Sequence, residues 1–153
     1  MLSKKAKYAL IASLHLARRV GEGPISIGDL ATHEGIPRKF LELILLELKN
    51  RGILHSQKGK AGGYTLGRSP EEISVGEIVR VIEGPVALLP CVSVTAYRRC
   101  EECRDEKVCG IRMLFQEVRD ATATLLDGAT LADLLHREAE ARLSEPEALT
   151  YHI

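Results

Sequence analysis

Hydrophobic residues in the first third of the chain recur at helical spacing, and glycine or proline interrupts each run. The first run predicts a helix over residues 3–19 that is capped by Ser3. Its apolar positions are Tyr8, Leu10, Ile11, Leu14 and Ala17. Ser26 and Asp29 then form a capping pattern, which predicts a short helix ending near Gly35.

The next run predicts a longer helix, which begins at Pro37 and stops at Gly52. One side of this helix carries Phe40, Leu41, Ile44, Leu45 and Leu48. A short helix, a tight turn and a longer helix in this order have the spacing of a helix-turn-helix. Two short strand-like runs then flank the loop QKGKAGG, at residues 57–63, and predict a β-hairpin. Together these elements predict a winged helix, in which the glycines of the hairpin tip would let it lie against a phosphate backbone.

The second half of the chain predicts three further helices. Ser74 and Glu77 form a capping box for a helix ending at Gly84, and a long helical pattern runs from about Glu106 to Leu126. A last short helix begins near Thr130. A helix of ~20 residues is ~30 Å long, which exceeds what a domain of this size needs for its own core. We therefore expect a homodimer, in which a second subunit covers the surplus apolar stripe.

The expected fold is mainly α with a small β-hairpin wing: a winged helix-turn-helix plus a long C-terminal dimerisation helix. We assign residues 1–85 to the DNA-binding domain and residues 86–110 to a loop that holds the cysteines. Residues 106–143 form the dimerisation helix and the C-terminal helix, and residues 144–153 form a flexible tail.

Charge separates the two halves of the chain, although the net charge is zero. Residues 1–68 contain 12 Lys and Arg against 5 Asp and Glu, a net charge of +7, and the remaining residues carry −7. Only the basic half is therefore expected to meet a polyanion. No apolar run approaches the length of a membrane span, and no signal sequence is evident, so we expect a cytoplasmic protein with no membrane partner.

Several basic residues are candidates for contacts with double-stranded DNA. Recognition helices contact base edges through their first turn, which here contains Arg38 and Lys39, with Glu42 one turn further on. Lys58 and Lys60 at the wing tip are expected to follow the phosphate backbone. Further phosphate contacts are expected from the N-terminal lysines Lys4, Lys5 and Lys7.

All four cysteines, Cys91, Cys100, Cys103 and Cys109, lie within 19 residues. Thiols grouped in this way in a reducing compartment indicate a metal site before a disulfide. Four cysteines suit either an iron–sulfur cluster or zinc, and the single C-x-x-C pair slightly favours the cluster. Reversible thiol oxidation is a third option. His15 and His33 lie on patterned helices, where histidine is more often structural or exposed than a ligand. No catalytic arrangement is evident, so we expect no enzyme activity.

Several stretches together resemble the Rrf-two (Rrf2) family of bacterial winged-helix regulators, which includes IscR-like, NsrR-like and CymR-like proteins. They are the opening LSKKAKYALIASLHLA, the helix-turn-helix SIGDLATHEGIPRKFLELILLELKNRGIL, the wing and following helix KGKAGGYTLGRSPEEISVGEIVRVIEG, and the cysteine loop entering a long helix. The resemblance implies a homodimer that binds a palindromic operator, often as a repressor. It also implies an iron–sulfur cluster, of the [2Fe–2S] type, whose state sets DNA affinity.

The resemblance maps the three cysteine ligands of the family onto Cys91, Cys103 and Cys109. IscR-like proteins have a histidine where this chain has Arg112, and NsrR-like proteins use an N-terminal aspartate where it has Lys7 and Tyr8. Because arginine stays protonated, it does not replace the lost ligand. Cys100 is therefore the expected fourth ligand.

Two alternatives to a cluster sensor stay open from the sequence. The chain could be a CymR-like repressor of sulfur metabolism, controlled by a metabolic enzyme as partner, with no cluster and with thiols that only oxidise. It could instead be a zinc-binding adaptor.

Overall fold

The computed structural model describes residues 2–144. These residues form six α-helices and one two-stranded antiparallel sheet. The helices are α1 (Lys4–Arg18), α2 (Ile27–Glu34), α3 (Arg38–Asn50), α4 (Val75–Glu83), α5 (Gly110–Gly128) and α6 (Leu131–Ser144), and the strands are β1 (Leu54–Gln57) and β2 (Gly63–Leu66). The predicted mainly helical fold with a hairpin wing is confirmed.

Serine side chains define the starts of three helices. The hydroxyl oxygens of Ser3, Ser26 and Ser74 each accept a hydrogen bond of 3.1 Å from the backbone N–H three residues later. Such bonds satisfy N–H groups that have no partner inside the helix. All three predicted caps are confirmed. Gly35 ends α2 in the left-handed conformation, as the short turn into α3 requires.

The buried side of α1 is rich in small residues, which accompany Leu16 there. Ala6, Ala9 and Ala12 are fully buried, whereas the larger residues singled out by the sequence pattern, Tyr8, Leu10, Ile11 and Leu14, are only partly buried. Alanine has a short side chain, so α3 and α4 can pack closely against α1. These larger residues still pack against the core, and Ala17 is buried, as the sequence pattern predicts. The pattern missed the deeper burial of the three alanines, because hydrophobicity ranks alanine below the larger residues while close helix packing favours it.

The hairpin pairs Leu54 with Leu66 and Gln57 with Gly63. Tyr64 also exchanges backbone hydrogen bonds of 2.8 and 3.0 Å with Ile25, so the segment before α2 extends the sheet. A Cβ atom on Gly63 would lie 2.2 Å from the carbonyl oxygen of Ile25. The glycine at this position therefore allows the wing to close against the helix-turn-helix, a role that the sequence argument did not anticipate.

The long helix begins four residues later than predicted. Asp105 caps a separate 3₁₀ turn, Glu106–Val108, and Cys109 then adopts an extended conformation as the N-cap of α5. At its other end α5 continues through Gly128, two residues beyond the predicted end at Leu126. The chain then turns extended and Thr130 pairs with Ser74.

Helix α6 returns to the first helix, where Arg18 and Glu138 form an ion pair of 2.6 Å. Leu131, its first residue, is fully buried in the core. Ser144 ends α6, and the rest of the predicted tail lies outside the described residues. No helix in the described part of the chain is both long enough and apolar enough to cross a membrane.

Candidate DNA interface and cysteine site

Helix α3 divides its residues between the core and the outer surface. Leu41, Ile44, Leu45 and Leu48 are fully buried. Successive residues of an α-helix are rotated by 100° about its axis. The side opposite the buried leucines therefore carries Lys39, Leu43, Leu46 and Asn50. Leu43 and Leu46 are 57% and 46% exposed, and sequence reasoning missed them because the leucine-rich run 41–46 obscures which leucines face out. An exposed leucine on a recognition helix can contact a thymine methyl group.

Two of the predicted base-reading residues contact each other. Arg38 Nε donates to Glu42 Oε1 over 3.2 Å, and both side chains are largely exposed. The guanidinium and the carboxylate are one helical turn apart, so this is an ordinary surface pair that DNA can displace. Lys39 is also exposed, and no carboxylate in the described part of the chain lies within 4 Å of its ammonium group.

The remaining predicted DNA contacts lie at the wing tip and the N-terminus. Lys58 and Lys60 are exposed in the turn between β1 and β2, which suits contacts with phosphates. Lys4 is exposed in the first turn of α1, together with Lys7. Lys5 differs from these residues, because its ammonium forms an ion pair of 2.6 Å with Glu47 on α3.

The structure places Cys100 near two other cysteines, Cys91 and Cys103. Cys91 is buried in a 3₁₀ turn, Pro90–Val92, and Cys100 and Cys103 are half-buried. The Cys100 thiol lies close to that of Cys91. Hydrogen bonding with Cys91, burial and the nearby Cys103 raise the pKa of Cys100 above its ordinary value. Metal or cluster binding there would displace protons, because only the thiolate is a strong ligand.

Cys109 lies at the N-terminus of α5, where its sulfur accepts a long hydrogen bond of 3.5 Å from the backbone N–H of Arg112. Two arginines of α5 fix the cysteine loop to this helix. Arg112 Nε donates to the carbonyl oxygen of Cys91 over 3.3 Å, and Arg119 donates to that of Val92 over 2.6 Å. Arg112, which occupies the position of the IscR-like histidine, therefore has a positioning role that sequence reasoning missed.

The sulfur atoms are too far apart for a preformed zinc tetrahedron. Within residues 2–144, no three cysteine sulfurs lie within 4.8 Å of one another. The sulfurs of a tetrahedral zinc site with bonds of ~2.3 Å are roughly 3.8 Å apart. A [2Fe–2S] cluster spreads four thiolates over two irons, so it fits a wider set of donors. The donor set, four free thiols of which Cys109 caps the N-terminus of α5, fits such a cluster.

Helix α5 presents an apolar stripe to solvent. It contains no buried residue, and Ile111, Leu114 and Leu125 are 65%, 56% and 74% exposed. Together with Val118 and Ala121 they are spaced three and four residues apart, which is the pattern of a coiled-coil seam.

Comparison with known proteins now identifies the family. The Rrf2 family model, described as an iron-dependent transcriptional regulator, matches residues 2–137. The chain belongs to the Rrf2 family. An rrf2-like HTH-type transcriptional regulator of Rhodobacter capsulatus is 45% identical over 138 residues, covering 88% of this chain and 92% of that protein.

Two solved structures of Rrf2 regulators share the fold. CymR, the global cysteine regulator of B. subtilis, is 34% identical with a TM-score of 0.74, covering 90% of this chain and 97% of CymR. IscR of T. potens is 29% identical with a TM-score of 0.75, covering 95% and 93%. The protein is thus a transcriptional regulator of the Rrf2 family, and the family resemblance expected from the sequence is confirmed.

Proposed function

We propose that this Rrf2 protein is a homodimeric repressor whose affinity for a palindromic operator is set by a [2Fe–2S] cluster. Cys91, Cys100, Cys103 and Cys109 would hold the cluster, which would supply one-electron redox chemistry. The observation that carries this proposal is the convergence of the cysteine loop on the first turn of α5. The same helix presents the uncovered coiled-coil seam that a second subunit would cover.

One of the four candidate ligands, Cys109, caps the helix that carries the proposed dimer seam. Arg112 and Arg119 tie the Cys91 turn to α5, so a change in the cysteine loop would act directly on the helix that sets the spacing of the two subunits. The two recognition helices must match half-sites ~34 Å apart. A shift of the α5 pair would therefore change operator affinity.

A second candidate is regulation through thiol oxidation without a cluster. The proximity of the Cys91 and Cys100 thiols favours it, because neighbouring thiols form a disulfide when an oxidant removes two electrons and two protons. The similarity to CymR supports the same alternative, in which a metabolic enzyme could be the controlling partner.

Anaerobic purification of the full chain separates these candidates. A cluster protein is expected to be coloured and to contain iron and acid-labile sulfide at two of each per subunit. Cys100→Ala should reduce this content, and Arg112→Lys should retain it. Colourless wild-type protein that cannot be reconstituted with iron and sulfide would support thiol oxidation, and stoichiometric zinc would support the adaptor alternative.

A further inference from the structure

A second cluster of possible metal ligands lies on helices α1 and α2, away from the cysteine loop in sequence. His15 Nδ1 is 2.6 Å from Glu34 Oε1, and His33 Nδ1 is 3.0 Å from the same oxygen. The two imidazole rings are nearly perpendicular, at 74°, with centroids 4.6 Å apart. Within residues 2–144, this is the one group of three His, Cys, Asp or Glu side chains whose ligand atoms all lie within 4.8 Å of one another.

The burial of the three side chains suits a site with one open side. His15 is buried, with 7% of its side chain exposed, and Glu34 has 17% exposed. His33 is 69% exposed, so solvent or an ion can reach the group from that side. Burial alone would raise the pKa of Glu34, but hydrogen bonds from His15 and His33 outweigh it and hold the carboxylate in its charged form.

We propose that His15, His33 and Glu34 bind one divalent transition-metal ion. Imidazole nitrogens and a carboxylate oxygen are good ligands for Zn²⁺ and its neighbours in the series. Tetrahedral bonds of ~2.0–2.1 Å place ligand atoms roughly 3.3 Å apart. The observed N···O separations of 2.6 and 3.0 Å would therefore need to open by about 0.7 and 0.3 Å. The ion replaces the protons that these hydrogen bonds share, and water fills the remaining position.

The site would act on the DNA-binding element. His33 and Glu34 are the last two residues of α2, and Gly35 then turns the chain into α3. His15 lies on α1, so a bound ion would fix the turn of the helix-turn-helix to the first helix. This role does not depend on a cluster at the cysteines.

Titration of the reduced full-length protein with Co²⁺ tests the site. Thiolate ligands give Co²⁺ an intense sulfur-to-metal charge-transfer band, whereas nitrogen and oxygen ligands give only weak d–d bands. Wild-type protein is expected to bind one Co²⁺ without charge transfer, in addition to any bound by the cysteines. His33→Gln should weaken Co²⁺ affinity at this nitrogen and oxygen site by at least about tenfold, because even the loss of a residue that only supports a ligand costs that much.

His136→Gln is the matched control, since His136 forms an exposed pair with Glu140 at 3.2 Å but has no third ligand. It should retain the site. Glu34→Gln gives a second test, and circular dichroism verifies that each variant is folded. If wild-type protein shows only thiolate-bound Co²⁺, or if His33→Gln binds Co²⁺ as wild type does, the group is only a hydrogen-bonded link between α1 and α2.

Discussion

The winged-helix head and helix α5 differ in how completely one chain buries them. In the head, α1, α3 and α4 surround a core of fully buried residues, among them Leu41, Ile44 and Leu45. Helix α5 is longer than any of these, yet none of its residues is buried. The core of the head is complete within one chain, whereas α5 leaves an apolar stripe exposed on the same chain.

The same difference explains which parts respond to a signal. Packed cores resist small displacements, since neighbouring side chains leave little free volume. In the cysteine loop, Cys91 and Val92 are buried, but residues 94–99 are exposed. Arg112 and Arg119 of α5 donate hydrogen bonds to the start of this loop. Sensing is therefore expected in the loosely packed region, and specificity in the tightly packed one.

The largest effect is expected from truncation of the head's core. Leu45→Ala should lower the free energy of unfolding by about 2–5 kcal/mol, because it removes buried methyl groups and leaves a cavity. Leu46, the next residue, is 46% exposed, and Leu46→Ala should cost about 0.5 kcal/mol or less. Urea unfolding at fixed protein concentration measures both. Equal losses for the two variants would contradict the assignment of the buried side of α3.

Substitution in the α5 seam should affect assembly and leave the fold of each chain intact. Leu114→Glu places a charge in the proposed interface. Substitution of a hot-spot residue near the centre of an interface costs about 2 kcal/mol or more of association free energy. Sedimentation should then show folded monomers at concentrations where the wild type is dimeric. Leu143→Glu is the control, because Leu143 is 88% exposed on α6 and lies off the seam. A Leu114→Glu protein that stays dimeric would rule out this seam as the interface.

Local signals predicted most of the head correctly. Serine caps, the turn before Pro37 and the glycine-rich hairpin each depend on a few neighbouring residues, so the sequence contains enough information to place them. The alanine side of α1 was missed because its burial depends on how closely α3 and α4 approach, which no local pattern records. The start of α5 was also missed, since the apolar period continues through the 3₁₀ turn Glu106–Val108.

The candidate sites were less predictable than the fold. The spacing of the cysteines indicated a shared site, but the contact between Cys91 and Cys100 depends on arginines from a helix that follows later in the chain. His15 and Glu34 are 19 residues apart and meet only because α2 packs on α1. Sequence patterns therefore favoured a structural role for both histidines.

A smaller and more selective effect is expected from the two types of DNA contact in the head. Arg38→Ala should cost about 1–3 kcal/mol on the operator and relax base preference, because arginine reads guanine through two hydrogen bonds. Lys58→Ala should weaken binding to operator and random DNA alike and reduce the salt slope by about one. Fluorescence anisotropy over a range of salt concentrations measures both the affinity for each DNA and its salt dependence. If both variants change operator and random DNA binding equally, the proposed division between base and phosphate contacts is wrong.

The smallest effect is expected from substitution of the ion pair that joins the winged-helix head to α5. Arg80 on α4 binds both carboxylate oxygens of Asp127 near the end of α5. The hydrogen bond from Arg80 holds the pKa of Asp127 below its ordinary value. A carboxyl group whose pKa is lowered by folding stabilises the protein above its unfolded pKa of about 3.9. That contribution is lost as the pH falls through the lower pKa of the folded state.

Asp127→Asn should therefore cost roughly 0.5 kcal/mol at neutral pH, the usual scale for a half-exposed pair. The difference from wild type should shrink towards zero as the pH falls below the folded pKa of Asp127. Asp120→Asn is the control, because among residues 2–144 Asp120 pairs only with the adjacent Arg119 of the same helix. Urea unfolding across the acid range measures the difference. A cost that persists unchanged in acid would show that Asp127 acts through packing against Gly76, whose added Cβ would lie 2.0 Å from its carboxylate, and not through its charge.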